Sequence, residues 1–511
     1  MKKSIILILL IILTLYFILL GKYFWIEEVL ILFLLPIVIV LIVSGFTFLI
    51  IKLVGKINLK KFVNRSFIVV SALQLALCVF IIWSVYSRSI NKTQLYSDID
   101  YAKTLMEDVH PNLYAVIDEN KFSQVIDSMK TNIPLEISEI EAMKFHGAIL
   151  AKLKDGHTGL SMNNYLKRGS ILFRKVLPYR FKIKDDEIYI LKNYSKRKNI
   201  PIGSEIVSIN NKPASQCLNE ISRLMSFEIN TLRDGLLQLP MIWGMWNNFE
   251  DFDIVYKTLE NKTKNITASS GLISNLSMIW DFTGFGFSIY NYKILDGNVA
   301  YINIKAFNNL EKFKDFLKNT FSDIKQNEIT SVIIDVRENS GGNTSLAKEL
   351  MQYISPTEFV VFDTSLLKIS NHLIHEYSLD TAEYKPGNFH LETNNKIELI
   401  ENPLRFNGSC SVLTSGYTFS TALDFAAMVR CFNIGKIVGS ETGGRTISYG
   451  SPLSILLPET GIEIKISRKR FVNACGIESD LGLIPDYIIE NSIEDDINNF
   501  DRVLEFAKTL K

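Results

Sequence analysis

Hydrophobic and polar positions divide the chain into three stretches with different periodicities. Residues Ser4 to Leu20, Val29 to Ile51 and Ser66 to Tyr86 are nearly unbroken apolar runs, each close to the roughly 20 residues a helix needs to cross a hydrocarbon core. From about residue 95 to 155 the apolar positions, among them Leu105, Val109, Phe122, Val125, Met129, Ile140, Met143, Ile149 and Leu153, recur at three- and four-residue spacing, which predicts helices. Residues 171–270 instead alternate, with strand-like stretches at Tyr179 to Ile183 and Glu187 to Leu191. There Ile200 to Pro213 reads as a turn, a β-branched strand and an Asn210-Asn211 turn, followed by an amphipathic helix from Ala214 to Met225.

From about Asp296 strand and helix alternate. Val299 to Ile304, Ser331 to Val336, Ser411 to Thr414 and Lys436 to Gly439 read as strands; Leu310 to Ile324, Ser345 to Ile354 and Thr421 to Cys431 read as helices; a long irregular insert separates Ile354 from Ser411. Strands that are almost continuous Val/Ile runs predict a buried, mostly parallel sheet covered by helices. Chemistry then belongs in the loops at its strand ends.

Charge fixes the orientation of the apolar runs. The link between the second and third holds Lys52, Lys56, Lys60, Lys61 and Arg65 and no acid, whereas the link between the first and second sets Lys22 against Glu27 and Glu28. The positive-inside rule puts the N-terminus and the basic link in the cytoplasm, so three crossings place everything after Tyr86 outside it. Lys2 and Lys3 ahead of the first run also suit a signal peptide, but no small-x-small cleavage site follows it. No Asp, Glu, Lys, Arg or His interrupts the spans, which argues for an anchor in the lipid membrane rather than a transport path. Over the whole chain 55 Lys+Arg balance 54 Asp+Glu, so no field favours nucleic acid. The chain holds five cysteines and no Cys-x-x-Cys pair, which argues against both a disulfide scaffold and a zinc site. Cys217, Cys410, Cys431 and Cys475 can pair outside the cytoplasm, in a connectivity the sequence does not select.

Three short strings carry candidate chemistry. Asp155-Gly156-His157-Thr158 follows a helix, and a lone loop histidine is as readily structural as catalytic. Asp335-Val336-Arg337-Glu338-Asn339-Ser340-Gly341-Gly342-Asn343 leaves a strand with paired glycines; these suit a tight turn or an oxyanion hole with uncovered N–H groups. Thr418-Phe419-Ser420-Thr421-Ala422 spans a strand-to-helix junction, where a serine serves as N-cap or as a hydroxyl exposed beside helix N-terminal donors. His372 and His375 sit three apart in the insert without the His-Glu-x-x-His order of a zinc peptidase, and Asp185-Asp186 and Asp495-Asp496 read as hydrated turns. No metal and no cofactor is expected.

Together these strings resemble the carboxyl-terminal processing peptidase family of serine peptidases, in its tricorn-like and interphotoreceptor-retinoid-binding-protein-like branch. The matching residues are Asp335, Arg337, Asn339, Gly341 and Gly342; Thr418 to Ala422; Gly439, Thr442, Gly443 and Gly444; and Glu478, Gly482, Pro485 and Asp486. The resemblance implies a crotonase/ClpP-like α/β catalytic core over residues 291–511, a helical N-terminal region over 91–170 and a PDZ-like insert over 171–290, behind a membrane anchor over 1–90. A Ser-Lys dyad is excluded, because Arg445 stands 25 residues after Ser420 (445 − 420) and arginine does not deprotonate. The tricorn-like arrangement implies Ser420 as nucleophile, His157 as base and Glu478 as its orienting acid, with N–H groups of Thr421 and Gly341 or Gly342 binding the oxyanion. The substrate implied is a peptide or protein. Tricorn carries a hydroxyl residue where Gly156 precedes His157. A rival reading on the same fold is an inactive, membrane-anchored peptide- or ligand-binding sensor.

Overall fold

The computed structural model describes residues 89–161, 175–195, 200–246, 251–272, 289–392 and 396–510. The three expected membrane spans lie outside the described residues, and no helix among the described ones is long and apolar enough to cross a membrane. Residues 90–161 and 171–511 form one compact α/β unit.

Helices Lys92–Val109, Glu119–Thr131 and Glu139–Leu150 account for the three- and four-residue spacing of the N-terminal region. Side chains cap each N-terminus: Asn91 accepts from the Gln94 N–H, Asp118 from those of Asn120 and Lys121, and Ser138 from that of Glu141. A following antiparallel sheet joins Tyr179–Lys184, Glu187–Asn193, Glu205–Ile209, Asp251–Lys257 and Thr263–Ser269, with Lys212–Pro213 paired to the third. Its tight turns place Asp185, Asp186, Asn210 and Asn211 at positive φ, where Asx side chains are tolerated. Helix Ala214–Ser222 covers this sheet and ends three residues before the expected Met225.

The core sheet has the order Tyr290–Leu295, β1 (Val299–Ile304), β2 (Ser331–Asp335), β3 (Ser409–Thr414), β4 (Lys436–Gly439) and Tyr487–Ile488. Tyr290–Leu295 runs antiparallel to β1, and the remaining neighbours pair in parallel. Every residue of β2 is buried, as a strand covered on both faces requires. One face sends Ile302, Ile304, Val332, Ile334 and Val412 against helices α1 (Leu310–Gln326), α2 (Thr344–Ile354) and α3 (Thr421–Cys431). The opposite face sends Val299, Ile333, Leu413 and Val438 against Val503, Leu504 and Ala507. Period-two alternation along each strand thus feeds two cores, and the loops leaving the C-terminal ends of β2, β3 and β4 gather at one edge.

The insert is less irregular than its sequence suggests. Strands Phe362–Lys368 and Phe389–Glu392 join Lys469–Asn473 and Ile447–Gly450 in a second antiparallel sheet that walls the site. Cys431 and Cys475 form a disulfide, while Cys217 and Cys410 are buried free thiols. Asp495 and Asp496 are not the hydrated turn expected of them: Asp495 accepts from the N–H of the N-cap Ser492 and pairs with Arg502, and Asp496 pairs with Lys182.

Candidate active site

Ser420 opens α3, with β3 ending six residues earlier at Thr414. Its backbone sits at φ 54°, ψ −131°, a strained conformation for a non-glycine residue that aims the side chain out of a sharp strand-to-helix turn. Although Ser420 holds the N-cap position, its hydroxyl makes no capping bond. It lies instead 2.9 Å from His157 Nε2. The turn is anchored from beneath: the Thr418 hydroxyl donates to the Val336 carbonyl at 2.9 Å, and the Phe419 N–H donates to the Asn339 carbonyl at 3.2 Å.

His157 stacks on the Phe419 ring with centroids 4.5 Å apart. A Cβ at Gly156 would come within 2.7 Å of Phe419 Cζ, so the glycine before His157 is what lets this ring lie under the imidazole. Burial lowers the His157 pKa against the opposing pull of Asp155, so the ring is neutral near pH 7 and can accept a proton. Asp155 fixes the loop: it accepts from the His157 N–H at 2.9 Å, from Ser467 Oγ at 2.6 Å and from His110 Nε2 at 3.1 Å. Despite its burial, these partners hold it ionised well below the usual carboxylate range. His110, which reads in sequence as a turn residue, is thus part of the support.

The glycine pair separates into two roles. Gly341 N–H donates to Asn339 Oδ1 at 2.8 Å, so it is engaged and does not serve the expected oxyanion hole. Gly341 instead lets the loop touch the serine: at φ 105°, its Cβ would lie 2.7 Å from Ser420 Cβ. Gly342 packs on the Phe307 carbonyl, where a Cβ would meet oxygen at 2.1 Å. The Thr421 hydroxyl donates to the Gly342 carbonyl at 2.9 Å, tying the two candidate donor segments together.

Glu478 does not stand where the resemblance puts it. Its carboxylate is 54% exposed and accepts from Arg470 Nη2 at 3.0 Å. The acid facing the imidazole is Glu228, whose side chain is 3% exposed and whose Oε1 lies 3.9 Å from His157 Nδ1. Its other oxygen accepts from the Arg445 N–H at 2.8 Å. Burial and the nearby Asp155 push the Glu228 pKa up to about 8. No motif marks Glu228; its one sequence signal is that it is a lone acid between Phe227 and Ile229. Asp155, His157 and Glu228 bring potential ligand atoms within 4.8 Å of one another, but the bonds to His110, Ser467 and the His157 N–H already engage both Asp155 oxygens, which does not suit a cation.

The remaining matched residues are structural. Arg337 holds Asp335 and Asp501 through five hydrogen bonds, and Tyr301 donates to Asp335 at 2.7 Å. Thr442 Oγ1 accepts from the Leu483 N–H, and Asp486 accepts from the Ile437 N–H, which locks the late string onto β4. A cleft of about 750 Å³ opens over Ser420 and His157, walled by Phe362, Glu392, Tyr449, Lys469 and Phe471 and floored by Asp424.

Residues 298–489 match the sequence model of Peptidase family S41. Among solved structures, mature CPAF is similar over 81% of this chain and 96% of its own, with 13% identity and a TM-score of 0.62. CPAF complexed with lactacystin is similar over 82% and 97%, with 12% identity and a TM-score of 0.60. The photosystem II D1 C-terminal processing protease is similar over 82% of this chain and 97% of its own, with 12% identity and a TM-score of 0.44. A search of curated protein sequences returns no match.

Proposed function

From membership in peptidase family S41, to which the chain belongs as a serine peptidase, we propose that it is a membrane-anchored endopeptidase working outside the cytoplasm through Ser420 and His157. The observation that carries this reading is the 2.9 Å approach of Ser420 Oγ to His157 Nε2 from a strained strand-to-helix turn. Ser420 Oγ attacks the scissile carbonyl while His157 Nε2 takes its proton; the protonated ring then gives that proton to the leaving amine. The Gly342 and Thr421 N–H groups receive the developing oxyanion, Thr421 with the added field of the α3 N-terminus. Water, deprotonated by the same imidazole, releases the acyl group from Ser420.

The apolar runs 4–20, 29–51 and 66–86 anchor the chain with its N-terminus in the cytoplasm. The Cys431–Cys475 disulfide supports an oxidising compartment for the catalytic part. The sheet between Tyr179 and Ser269, with its helix Ala214–Ser222, acts as a PDZ-like unit beside a crotonase/ClpP-like core. The test is to incubate detergent-solubilised full-length protein with unfolded protein substrates and to sequence the new termini by mass spectrometry. Cleavage by the wild type that disappears in Ser420→Ala and His157→Ala supports the reading. Folded wild type that cleaves nothing and instead retains peptides favours the anchored binding protein.

A further inference from the structure

Two buried polar atoms face each other at the back of the site. His157 Nδ1 and Glu228 Oε1 are each sealed from solvent and without a hydrogen-bond partner, and they stand 3.9 Å apart. An imidazole nitrogen and a carboxylate oxygen left this way each forfeit a hydrogen bond to water. A shift of about 1 Å joins them, within the tightening that catalytic contacts undergo on substrate binding.

No other carboxylate among the described residues takes this place. The Asp155 oxygens are engaged by His110, Ser467 and the His157 N–H, and Glu478 is turned to Arg470. Glu228 is also held from behind, because Arg445 presents its backbone N–H to Oε2 at 2.8 Å. One oxygen is fixed and the other is left for the ring.

We propose that Glu228 is the positioning acid of the relay, accepting the Nδ1–H of His157 so that Nε2 keeps its lone pair for the Ser420 proton. The proposal rests on the Ser420–His157 reading above. With Glu228 ionised, Nδ1 carries the hydrogen and the Ser420 hydroxyl donates to Nε2. As the Oγ–carbon bond forms and the carbonyl electrons move to oxygen, the Ser420 proton passes to Nε2, and Glu228 stabilises the resulting imidazolium. With Glu228 protonated, its hydroxyl donates to Nδ1, the hydrogen resides on Nε2, and the serine loses its base. The groups facing this pair are Asp155 on the His157 loop, Arg445, Lys465, the Gly156 N–H and the Tyr449 carbonyl. Burial and Asp155 together favour the protonated form, with a pKa of about 8. The reaction of Ser420 is therefore expected to quicken as pH rises through about 8.

The test is the second-order rate of inactivation of the full-length protein by a fluorophosphonate, measured from pH 5 to 10. Wild type is expected to rise through an inflection near pH 8. In Glu228→Gln the Arg445 N–H claims the amide oxygen, which turns the NH2 toward Nδ1 and imposes the unproductive tautomer. Above pH 8 its rate falls by up to about 10⁴-fold, the loss that an amide in place of the orienting carboxylate produces in serine peptidases, the two profiles converge below pH 8, and the thermal midpoint is no lower than that of wild type. Formate added to Glu228→Ala restores part of the rate, which a purely structural residue would not allow. A Glu228→Gln protein with the wild-type rate and pH profile overturns the proposal while leaving Ser420 and His157 in place. Failure of the fluorophosphonate to react with wild type at any pH overturns both. If Glu228→Gln does not fold, Glu228→Ala decides: a rate partly restored by formate supports the proposal, and a rate equal to wild type without formate overturns it.

Discussion

Ser420 Oγ and His157 Nε2 meet at 2.9 Å across 263 residues of chain, one at the head of a helix in the parallel core and the other on a loop after the N-terminal helices. Such an encounter has no local cause. It is imposed by Asp155, which ties the histidine loop to Ser467, and by Phe419, which lies under the imidazole next to the serine.

Gly341 is required for this encounter without donating to it. Gly341→Ala places a methyl group 2.7 Å from Ser420 Cβ at a φ of 105°, so the serine must shift. Fluorophosphonate labelling should fall about 10²-fold, the cost of roughly 1 Å of misplacement. Gly342→Ala collides with the Phe307 carbonyl at 2.1 Å and should show first as a lower melting temperature.

Glu478→Gln separates the expected acid from the observed one. Its carboxylate is exposed and pairs with Arg470, an arrangement worth less than about 1 kcal/mol. Peptidase activity should stay within about threefold of wild type, and a loss above 100-fold would return Glu478 to the relay.

The parallel core was legible because Val/Ile runs buried on both faces leave few alternatives, and Ser331–Asp335 and Lys436–Gly439 follow that rule. Ser420 and His157 were legible through short strings with fixed order. Glu228 was not, since its role arises only when the turn at Arg445 is laid over the segment before Asn230. The sheet formed by the insert was hidden as well, because its short strands bury few residues and Phe362–Lys368 pairs with a strand more than 100 positions away, as Leu366 does with Arg470. The cysteine pairing needed a Cα separation of 5.2 Å that spacing alone does not reveal.

The Cys431–Cys475 bridge closes 44 residues that include Arg445 and part of the cleft wall. Loop-closure entropy assigns it about 4 kcal/mol. Reduction, or Cys431→Ser, should lower the denaturant midpoint accordingly without removing Ser420 reactivity below the transition. Urea titration with and without reductant measures this.

Asp424 carries the clearest pH signature in stability. Burial pushes its pKa up to about 8 from a model-compound value of 3.8, so the folded protein retains a proton that the unfolded chain releases first. That contribution is complete below about pH 4 and declines as pH rises toward about 8. Asp424→Asn should therefore match wild type near pH 4 and exceed it by on the order of 5 kcal/mol at pH 8.5, as read by thermal unfolding at the two pH values.

Mapping a fluorophosphonate adduct by mass spectrometry on the solubilised full-length protein tests the catalytic pair most directly. One modified peptide is expected, with the phosphonyl group on Ser420, and it should disappear in His157→Ala under conditions where that variant stays folded. An adduct on a different serine, or undiminished modification of Ser420 without the imidazole, would contradict it.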